Sequence, residues 1–144
     1  MYKLVENVPY YFLVHPAGPF WKGKELGAWS IPKGEFEDKE EPLFTAKREF
    51  MEETGITPVE PFIELGSIKQ KSGKVVFAWA FQGDYSGKLD CTSFVEIEWP
   101  KKSGKIITFP EVDKAEMFTR EDAKKFVNVM QFEFIERLEK ILKV

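Results

Sequence analysis

A short, highly charged helix is the feature that most limits the folds open to this chain. Residues 34–56, GEFEDKEEPLFTAKREFMEETGI, carry eight acidic side chains and three basic ones. Pro42 suits the first turn of a helix and Gly55 suits its C-terminal stop, so the sequence predicts a helix from about Glu41 to Thr54. Any fold for this chain must place that helix between two groups of strand-like segments.

Strand-like segments lie on both sides of the helix. Residues 1–14 predict two short strands around a turn at residues 6–9, and FIELGSIKQ, VVFAWAFQG and FVEIEW predict strands after the helix. The second of these later segments is mostly apolar, as a strand covered on both faces would be. A final helix is predicted over about Arg120 to Leu142, where apolar residues recur at three- and four-residue steps. This order predicts one α+β domain over residues 1–144, with helices packed on a mixed sheet.

Composition supports a folded domain and argues against a nucleic-acid partner. Of the 144 residues, 43% are hydrophobic and 15% are aromatic, which is enough for a packed core. Of the 24 acidic and 21 basic residues, eight and three lie in residues 34–56, leaving 16 and 18 elsewhere. The body of the chain is therefore only mildly basic. A duplex nucleic-acid binder needs a broad basic face, so nucleic acid is an unlikely partner.

The counts of cysteine and histidine limit the possible metal chemistry. The chain has one cysteine and one histidine, which excludes a disulfide within the chain, a zinc site made only of thiolates and a site with two histidines. The N-terminal residues do not form a signal peptide, and no apolar run approaches the roughly 20 residues that span a bilayer. The sequence therefore predicts a cytoplasmic protein with no membrane partner.

The arrangement of charge within the helix points to function. Glu49, Glu52 and Glu53 share one helical face, where like charges at these spacings cost a few tenths of a kcal/mol per pair. They also lie near the C-terminal end, where the helix dipole disfavours anions. Converging carboxylates of this kind suit a hard divalent cation, above all Mg²⁺. On spacing alone, a solvated charged face explains the pattern equally well.

The full pattern of residues 34–56 is much more specific. It contains a glycine, five residues, a glutamate, seven residues and then REFMEETGI. This resembles the Nudix box, and every fixed position is filled: Gly34, Glu40, Arg48, Glu49, Phe50, Glu52, Glu53, Gly55 and Ile56. The resemblance implies the Nudix fold, an α/β/α sandwich with a mixed β-sheet between helices. Among family members, the chain looks similar to small bacterial proteins described as predicted nucleoside triphosphate pyrophosphohydrolases.

The resemblance also implies an activity and a set of metal ligands. Nudix enzymes hydrolyse a nucleoside diphosphate linked to another moiety, and they use Mg²⁺ or Mn²⁺. By resemblance, the carboxylates of Glu49, Glu52 and Glu53 and the carbonyl of Gly34 are the expected metal ligands. Arg48 is expected to orient carboxylates, since a guanidinium can hold Glu52 at i+4 in one rotamer.

The resemblance leaves the catalytic base open. In some relatives the base is the first glutamate of REFMEE, here Glu49, and in others it is a glutamate from a later loop. Glu111, in FPEVDKAEMF, is the best late candidate, and Glu96 and Glu98 are its rivals. Surface glutamates are common and mostly inert, so none of the three stands out by residue type alone.

A few residues outside the box have two interpretations each. His15 could contact phosphate, although a lone histidine is more often a hydrogen-bonded structural residue. Lys33, one residue before the box, could meet phosphate or simply be solvated. Any of the four tryptophans could stack on a base, with packing as the default.

Three other functions stay open at this point. One is hydrolysis of diadenosine polyphosphates. Another is a nucleotide-binding Nudix module without turnover, and the third is an enzyme that acts on capped RNA. In the first two cases the partner is a small-molecule nucleotide. The sequence does not decide between a monomer and a homodimer.

Overall fold

The computed structural model describes residues 1–33 and 40–144 of the chain. Within these ranges the strands and helices follow in this order: β1 Tyr2–Val5, β2 Val8–Pro16, α1 Pro42–Thr54, β3 Ile63–Lys69, β4 Val75–Ala80, β5 Phe94–Glu98, β6 Ile106–Pro110, β7 Val112–Phe118, α2 Arg120–Phe126 and α3 Phe132–Leu142.

The strands of these ranges form three antiparallel sheets. The order in the first sheet is β1-β2-β7, and β3-β4 and β5-β6 form two-stranded sheets. The predicted turn between β1 and β2 is confirmed, with Glu6 and Asn7 at positive φ. Some backbone segments also pair in parallel through isolated β-bridges, one of which joins Tyr2 to Gln82. The strands are therefore of mixed orientation, as predicted.

Helix α1 confirms the prediction made from its boundary residues. It runs over Pro42–Thr54, and Gly55 follows in the left-handed conformation at φ 77°, with its N–H donating to the Met51 carbonyl. The face away from the glutamates packs into the core. The ring of buried Phe50 lies 5.8 Å from that of Phe12 and 5.0 Å from that of Phe81.

The prediction of one C-terminal helix over Arg120 to Leu142 is wrong. Helix α2 ends at Phe126, and Val127 is extended at φ −73° and ψ 151°. The break follows from backbone pairing with a distant residue. The Trp29 N–H donates to the Phe126 carbonyl at 2.9 Å, and the Asn128 N–H donates to the Trp29 carbonyl at 2.7 Å. These bonds stabilise an extended backbone that the apolar repeat of the segment cannot reveal.

One further expectation about strands needs correction. Strand β4 is not covered on both faces, because Val76, Ala78 and Ala80 are buried while Val75 and Phe77 are exposed. Strand β7, which lies directly before α2 and pairs with β2, is not among the strands predicted from sequence. Its buried residues Val112, Ala115 and Phe118 are three apart, so the segment lacks the two-residue repeat typical of a strand.

Helices α2 and α3 complete the core on the sheet. Ala123, Phe134, Ile135 and Leu138 are buried in the larger core cluster. In the described part of the chain, no helix is both long and apolar enough to cross a membrane.

Candidate active site

Three carboxylates from distant parts of the chain converge at the end of helix α1. Glu49 and Glu53 lie on one face of the helix, and Glu111 lies between β6 and β7. One oxygen of each lies within 4.8 Å of the others. Glu53 is only 5% exposed, and its Oε2 is buried with no hydrogen-bond partner among residues 1–33 and 40–144.

The cluster is electrostatically unfavourable without a counter-charge. Burial, followed by the charges of Glu111 and Glu49, raises the pKa of Glu53 to about 9. Burial also raises the pKa of Glu49, although the nearby Arg48 acts in the opposite direction. The charge of Lys33 lowers the pKa of Glu53, but this effect is smaller than those that raise it. Glu49 and Glu53 therefore hold protons more tightly than ordinary glutamates unless a cation joins them.

Backbone hydrogen bonds bring Glu111 to the helix. The last carbonyls of a helix lack partners within it. Here the Glu52 carbonyl accepts from the Thr92 N–H at 2.7 Å, and the Thr54 carbonyl accepts from the Asp90 N–H at 3.1 Å. The carbonyl of Ser93, the residue after Thr92, accepts a hydrogen bond from the Glu111 N–H at 2.9 Å. Segment 90–93 thus joins the helix end directly to the third carboxylate.

Gly55 permits this close approach. A Cβ at residue 55 would lie 2.8 Å from the Cβ of Asp90 and 3.0 Å from its carbonyl oxygen, and the φ of 77° is itself unfavourable for other residues. The glycine therefore serves both as a helix stop and as the surface against which segment 90–93 packs.

Arg48 holds three acidic side chains of residues 40–52 together. Its Nε and Nη2 donate to the two oxygens of Glu40 at 3.1 and 3.0 Å. Its Nη1 lies 3.1 Å from Glu49 and 3.3 Å from Glu52. The contacts with these carboxylates, above all the contact with Glu40, raise the pKa of Arg48. The guanidinium therefore stays charged. The two-pronged contact with Glu40 fixes the guanidinium, and the guanidinium in turn restrains Glu49.

The remaining residues predicted for the site lie elsewhere. The Glu52 side chain is 40% exposed, faces Arg48 and is not one of the three converging carboxylates. Glu96 and Glu98 are exposed on β5 and do not belong to the cluster either. Gly34 falls outside the described residues, so its position as a ligand stays a prediction.

A cavity of about 680 Å³ opens on the cluster. Lys33, Glu49, Glu53 and Glu111 lie at one end of its lining. Its other lining residues include polar and aromatic side chains: Trp21, Trp29, Ser30, Gln70, Lys74, Asn128 and Gln131. The predictions from sequence did not single out Gln70, Asn128 or Gln131. The one local signal was a glutamine inside the apolar repeat of the predicted C-terminal helix.

His15 supports the wall of this cavity from behind. It is 2% exposed, its Nδ1 lies 3.0 Å from the Asp113 carboxylate, and its Nε2 lies 2.6 Å from the Lys24 carbonyl. Its ring also contacts that of Trp29, with centroids 5.3 Å apart. His15 therefore links β2 to β7 and to the loop that carries Trp21.

The residues present fit a divalent cation. The donor set consists of hard carboxylate oxygens, which Mg²⁺ and Mn²⁺ prefer. The buried Glu53 oxygen without a partner among the described residues is the observation that favours such an ion, because a buried acceptor left unpaired is costly. These donors are common to several hard divalent ions.

Comparisons with known proteins agree with this geometry. A sequence profile described as the NUDIX domain matches residues 9–138. No curated protein matches the chain. Three solved structures share the fold at low identity. The NUDIX domain of Shewanella oneidensis NrtR, complexed with ADP ribose, has a TM-score of 0.65 and 15% identity, with 98% of this chain and 82% of that chain covered.

For two further similar structures, the alignment covers nearly all of both chains. A C. elegans Ap4A hydrolase in a binary complex has a TM-score of 0.60 and 18% identity, over 99% of this chain and 92% of that one. The MutT protein from Methanosarcina mazei Go1 has a TM-score of 0.58 and 19% identity, over 99% and 90%. The α+β Nudix fold is thereby confirmed. Since the family profile spans most of the chain and includes the complete box, this protein belongs to the Nudix family and is a Nudix hydrolase.

Proposed function

We propose that this protein hydrolyses the pyrophosphate bond of a nucleoside diphosphate linked to another moiety, as in a nucleoside triphosphate. The observation that carries the proposal is the convergence of Glu49, Glu53 and Glu111 at one end of a 680 Å³ cavity. A cavity of this size is within the usual range for small-molecule sites. Its acidic end suits a metal-bound polyphosphate, and its other lining residues offer aromatic and amide groups for the rest of the molecule.

Glu49, Glu53 and Glu111 are the residues that would hold a divalent cation, with Glu52 and the Gly34 carbonyl as the further ligands predicted by resemblance. When bound, such an ion neutralises phosphate charge and lowers the pKa of a water molecule. We assign Mg²⁺ as the expected ion, with Mn²⁺ able to replace it, because the donors are all oxygen.

We assign the proton-accepting role to Glu111. The Arg48 guanidinium lies 3.1 Å from Glu49 and holds that carboxylate in place, which suits Glu49 to bind the cation. Glu111 is the residue between β6 and β7, and its carboxylate lies within 4.8 Å of those of Glu49 and Glu53. From that position its carboxylate can take a proton from water that attacks phosphorus. Arg48 has a positioning role, because it holds Glu49 and Glu52 rather than facing the cavity.

Lys33 lines the acidic end of the same cavity and suits contact with a phosphate oxygen. We therefore place the polyphosphate between Lys33 and the carboxylates, with the nucleoside directed toward Trp21. This arrangement leaves the reacting phosphorus beside Glu111, within reach of the water that Glu111 deprotonates.

The test is product release from a panel of nucleotides with Mg²⁺, with Mn²⁺ and with EDTA. The panel contains nucleoside triphosphates, ADP-ribose, diadenosine tetraphosphate and a nucleotide sugar, and so includes the ADP ribose of the NrtR complex and the Ap4A for which the C. elegans hydrolase is named. Glu111→Gln should lower kcat by about 10²- to 10⁴-fold if Glu111 moves a proton. Glu96→Gln, a matched change on exposed β5, should leave kcat within about twofold.

Two results would contradict the proposal. Nucleotide binding without turnover of any panel member, with either ion, would indicate a binding module. Turnover that is lost in Glu96→Gln and kept in Glu111→Gln would move the base to β5. Turnover confined to diadenosine tetraphosphate would retain the chemistry but select the dinucleotide as the substrate.

A further inference from the structure

One part of the cavity lining has a defined hydrogen-bonding character. Gln131, Gln70 and Asn128 line it, and the chemistry proposed above uses none of them. Their amide groups come from the β3–β4 turn and from the segment between α2 and α3. The direction in which each amide points can be established from its partners.

Gln131 is the fixed point of this wall. It is 1% exposed, and its Oε1 accepts from the Ile31 backbone N–H at 2.9 Å. A backbone N–H can only donate, so the oxygen of Gln131 must face it. The amide nitrogen consequently faces the other way, where it donates to the Ser30 hydroxyl at 3.1 Å and to Gln70 Oε1 at 3.0 Å.

The orientation of Gln131 determines that of Gln70. Since the Gln131 nitrogen donates to it, Gln70 must present its oxygen to Gln131, and its Nε2 then points away. No residue in the described ranges accepts a hydrogen bond from that nitrogen. Gln70 lines the cavity and therefore offers it N–H donors that have no partner among the described residues.

Asn128 is fixed in the same way. Its Oδ1 accepts from the Met130 backbone N–H at 3.1 Å. Within residues 1–33 and 40–144, its Nδ2 has no acceptor. Gln70 and Asn128 thus present the same kind of group to the cavity, and both orientations rest on backbone donors.

We propose that Gln70 and Asn128 select a nucleotide whose base carries a keto oxygen, as in guanine, hypoxanthine or uracil, over one that carries an amino group at that position. The inference rests on the proposed function, because it names the base of the same substrate. Guanine offers acceptors at O6 and N7, whereas adenine offers a donor at N6, and the same contrast separates uracil-type from cytosine bases. If the base presents an amino group to the two amides, the N–H groups of the base and those of Gln70 and Asn128 are all left without acceptors. Trp21, half-buried on the lining, supplies an aromatic face for the base.

Inosine and adenosine triphosphates provide the sharpest comparison, because their bases differ in the group at position 6. We expect kcat/KM to be about tenfold or more higher for the inosine nucleotide, given the cost of buried unpaired donors. Uridine triphosphate should exceed cytidine triphosphate in the same direction. Equal values for the inosine and adenosine nucleotides, or a preference for the latter, would overturn the proposal.

Variants of Gln70 test the assignment of the residue. In Gln70→Glu a carboxylate can accept from the amino group, so the ratio of inosine to adenosine turnover should fall at least tenfold or invert. Gln70→Leu should reduce the ratio toward one. Gln82→Glu, on an exposed glutamine outside the cavity, should keep the wild-type ratio. A Gln70→Glu protein that is folded by circular dichroism and keeps the wild-type ratio would refute the role of Gln70.

A binding measurement separates this inference from the proposed hydrolysis. Calorimetry with inosine and adenosine 5′-monophosphates, in the presence of Mg²⁺, compares the bases without any turnover. Tenfold tighter binding of the inosine nucleotide supports the base selection even if no nucleotide is hydrolysed. Normal hydrolysis with equal binding, or no binding of either compound, overturns the base selection.

Discussion

Substitution of Glu53 by glutamine should stabilise the metal-free protein. Glu53 is the most buried member of the three-carboxylate cluster, and its pKa rises from the usual 4.5 to about 9 on folding. The folded state therefore binds the proton more tightly than the unfolded state. The contribution of the Glu53 proton to the free energy of unfolding is fully present below pH 4.5. It falls by about 1.4 kcal/mol for each pH unit between pH 4.5 and pH 9. Above pH 9 the loss is complete.

Between pH 4.5 and pH 7 the protein therefore loses about 3 kcal/mol of stability against unfolding. Glutamine has nearly the same shape and no charge to bury, so Glu53→Gln should recover an amount of this order. The assay is urea unfolding in EDTA at pH 5, 7 and 8.5, for wild type and variant. The stabilisation should be small at pH 5 and should grow with pH.

Glu52→Gln is the matched control, because Glu52 is a half-exposed neighbour on the same helix face. We expect its effect to stay within about 1 kcal/mol. Excess Mg²⁺ should stabilise wild type more than Glu53→Gln, since an ion that binds only the folded state adds to stability. If Glu53→Gln is no more stable than wild type at pH 8.5 in EDTA, burial of the Glu53 carboxylate does not carry this electrostatic cost.

Two further predictions concern the residues that support the cluster. Gly55→Ala should destabilise the protein by roughly 2–3 kcal/mol, because strain at positive φ adds to the clash with segment 90–93. Gly23→Ala, at a similar φ but with nothing within 4 Å of the added Cβ, should cost only about 1 kcal/mol in the same unfolding assay, and equal costs would refute the packing argument. Arg48→Lys should lower kcat/KM by roughly 10- to 100-fold and raise the Mg²⁺ concentration needed for half-maximal rate, since lysine cannot hold Glu40 through two parallel bonds. Arg120→Lys, which alters an exposed arginine paired with Glu139 away from the cavity, should leave both quantities unchanged, and a normal Mg²⁺ requirement in Arg48→Lys would contradict the positioning role.

The parts of the fold that sequence predicted well are those with local causes. Pro42 and Gly55 restrict the backbone at their own positions, so the ends of α1 could be predicted directly. The spacing of Glu49 and Glu53 places both on one face of that helix, because helical geometry depends only on neighbours in sequence. These features do not depend on the rest of the chain.

The parts that sequence did not predict depend on distant partners. The break between α2 and α3 follows from backbone bonds to Trp29, about 100 residues earlier, and nothing within the segment reports them. The meeting of Glu111 with the helix likewise depends on Ser93. The sequence made Glu111 the best late candidate for the base, with Glu96 and Glu98 as rivals, and of these three the structure brings Glu111 to Glu49 and Glu53. The amide wall was not predicted because glutamine and asparagine carry no motif, and their orientation emerges only from a network of hydrogen bonds.

The network around Gln131 also determines when the cavity can be completed during synthesis. The helix glutamates leave the ribosome early, and Glu111 follows some sixty residues later. Gln131 must then form hydrogen bonds with Ile31 and Gln70, which are synthesised earlier. Since domains acquire their structure as the chain emerges, a nascent polypeptide that stops before Asn128 holds its acidic residues without the amides of Asn128 and Gln131. Unfinished chains are therefore poorly equipped to bind nucleotide in a cell where nucleotides are abundant.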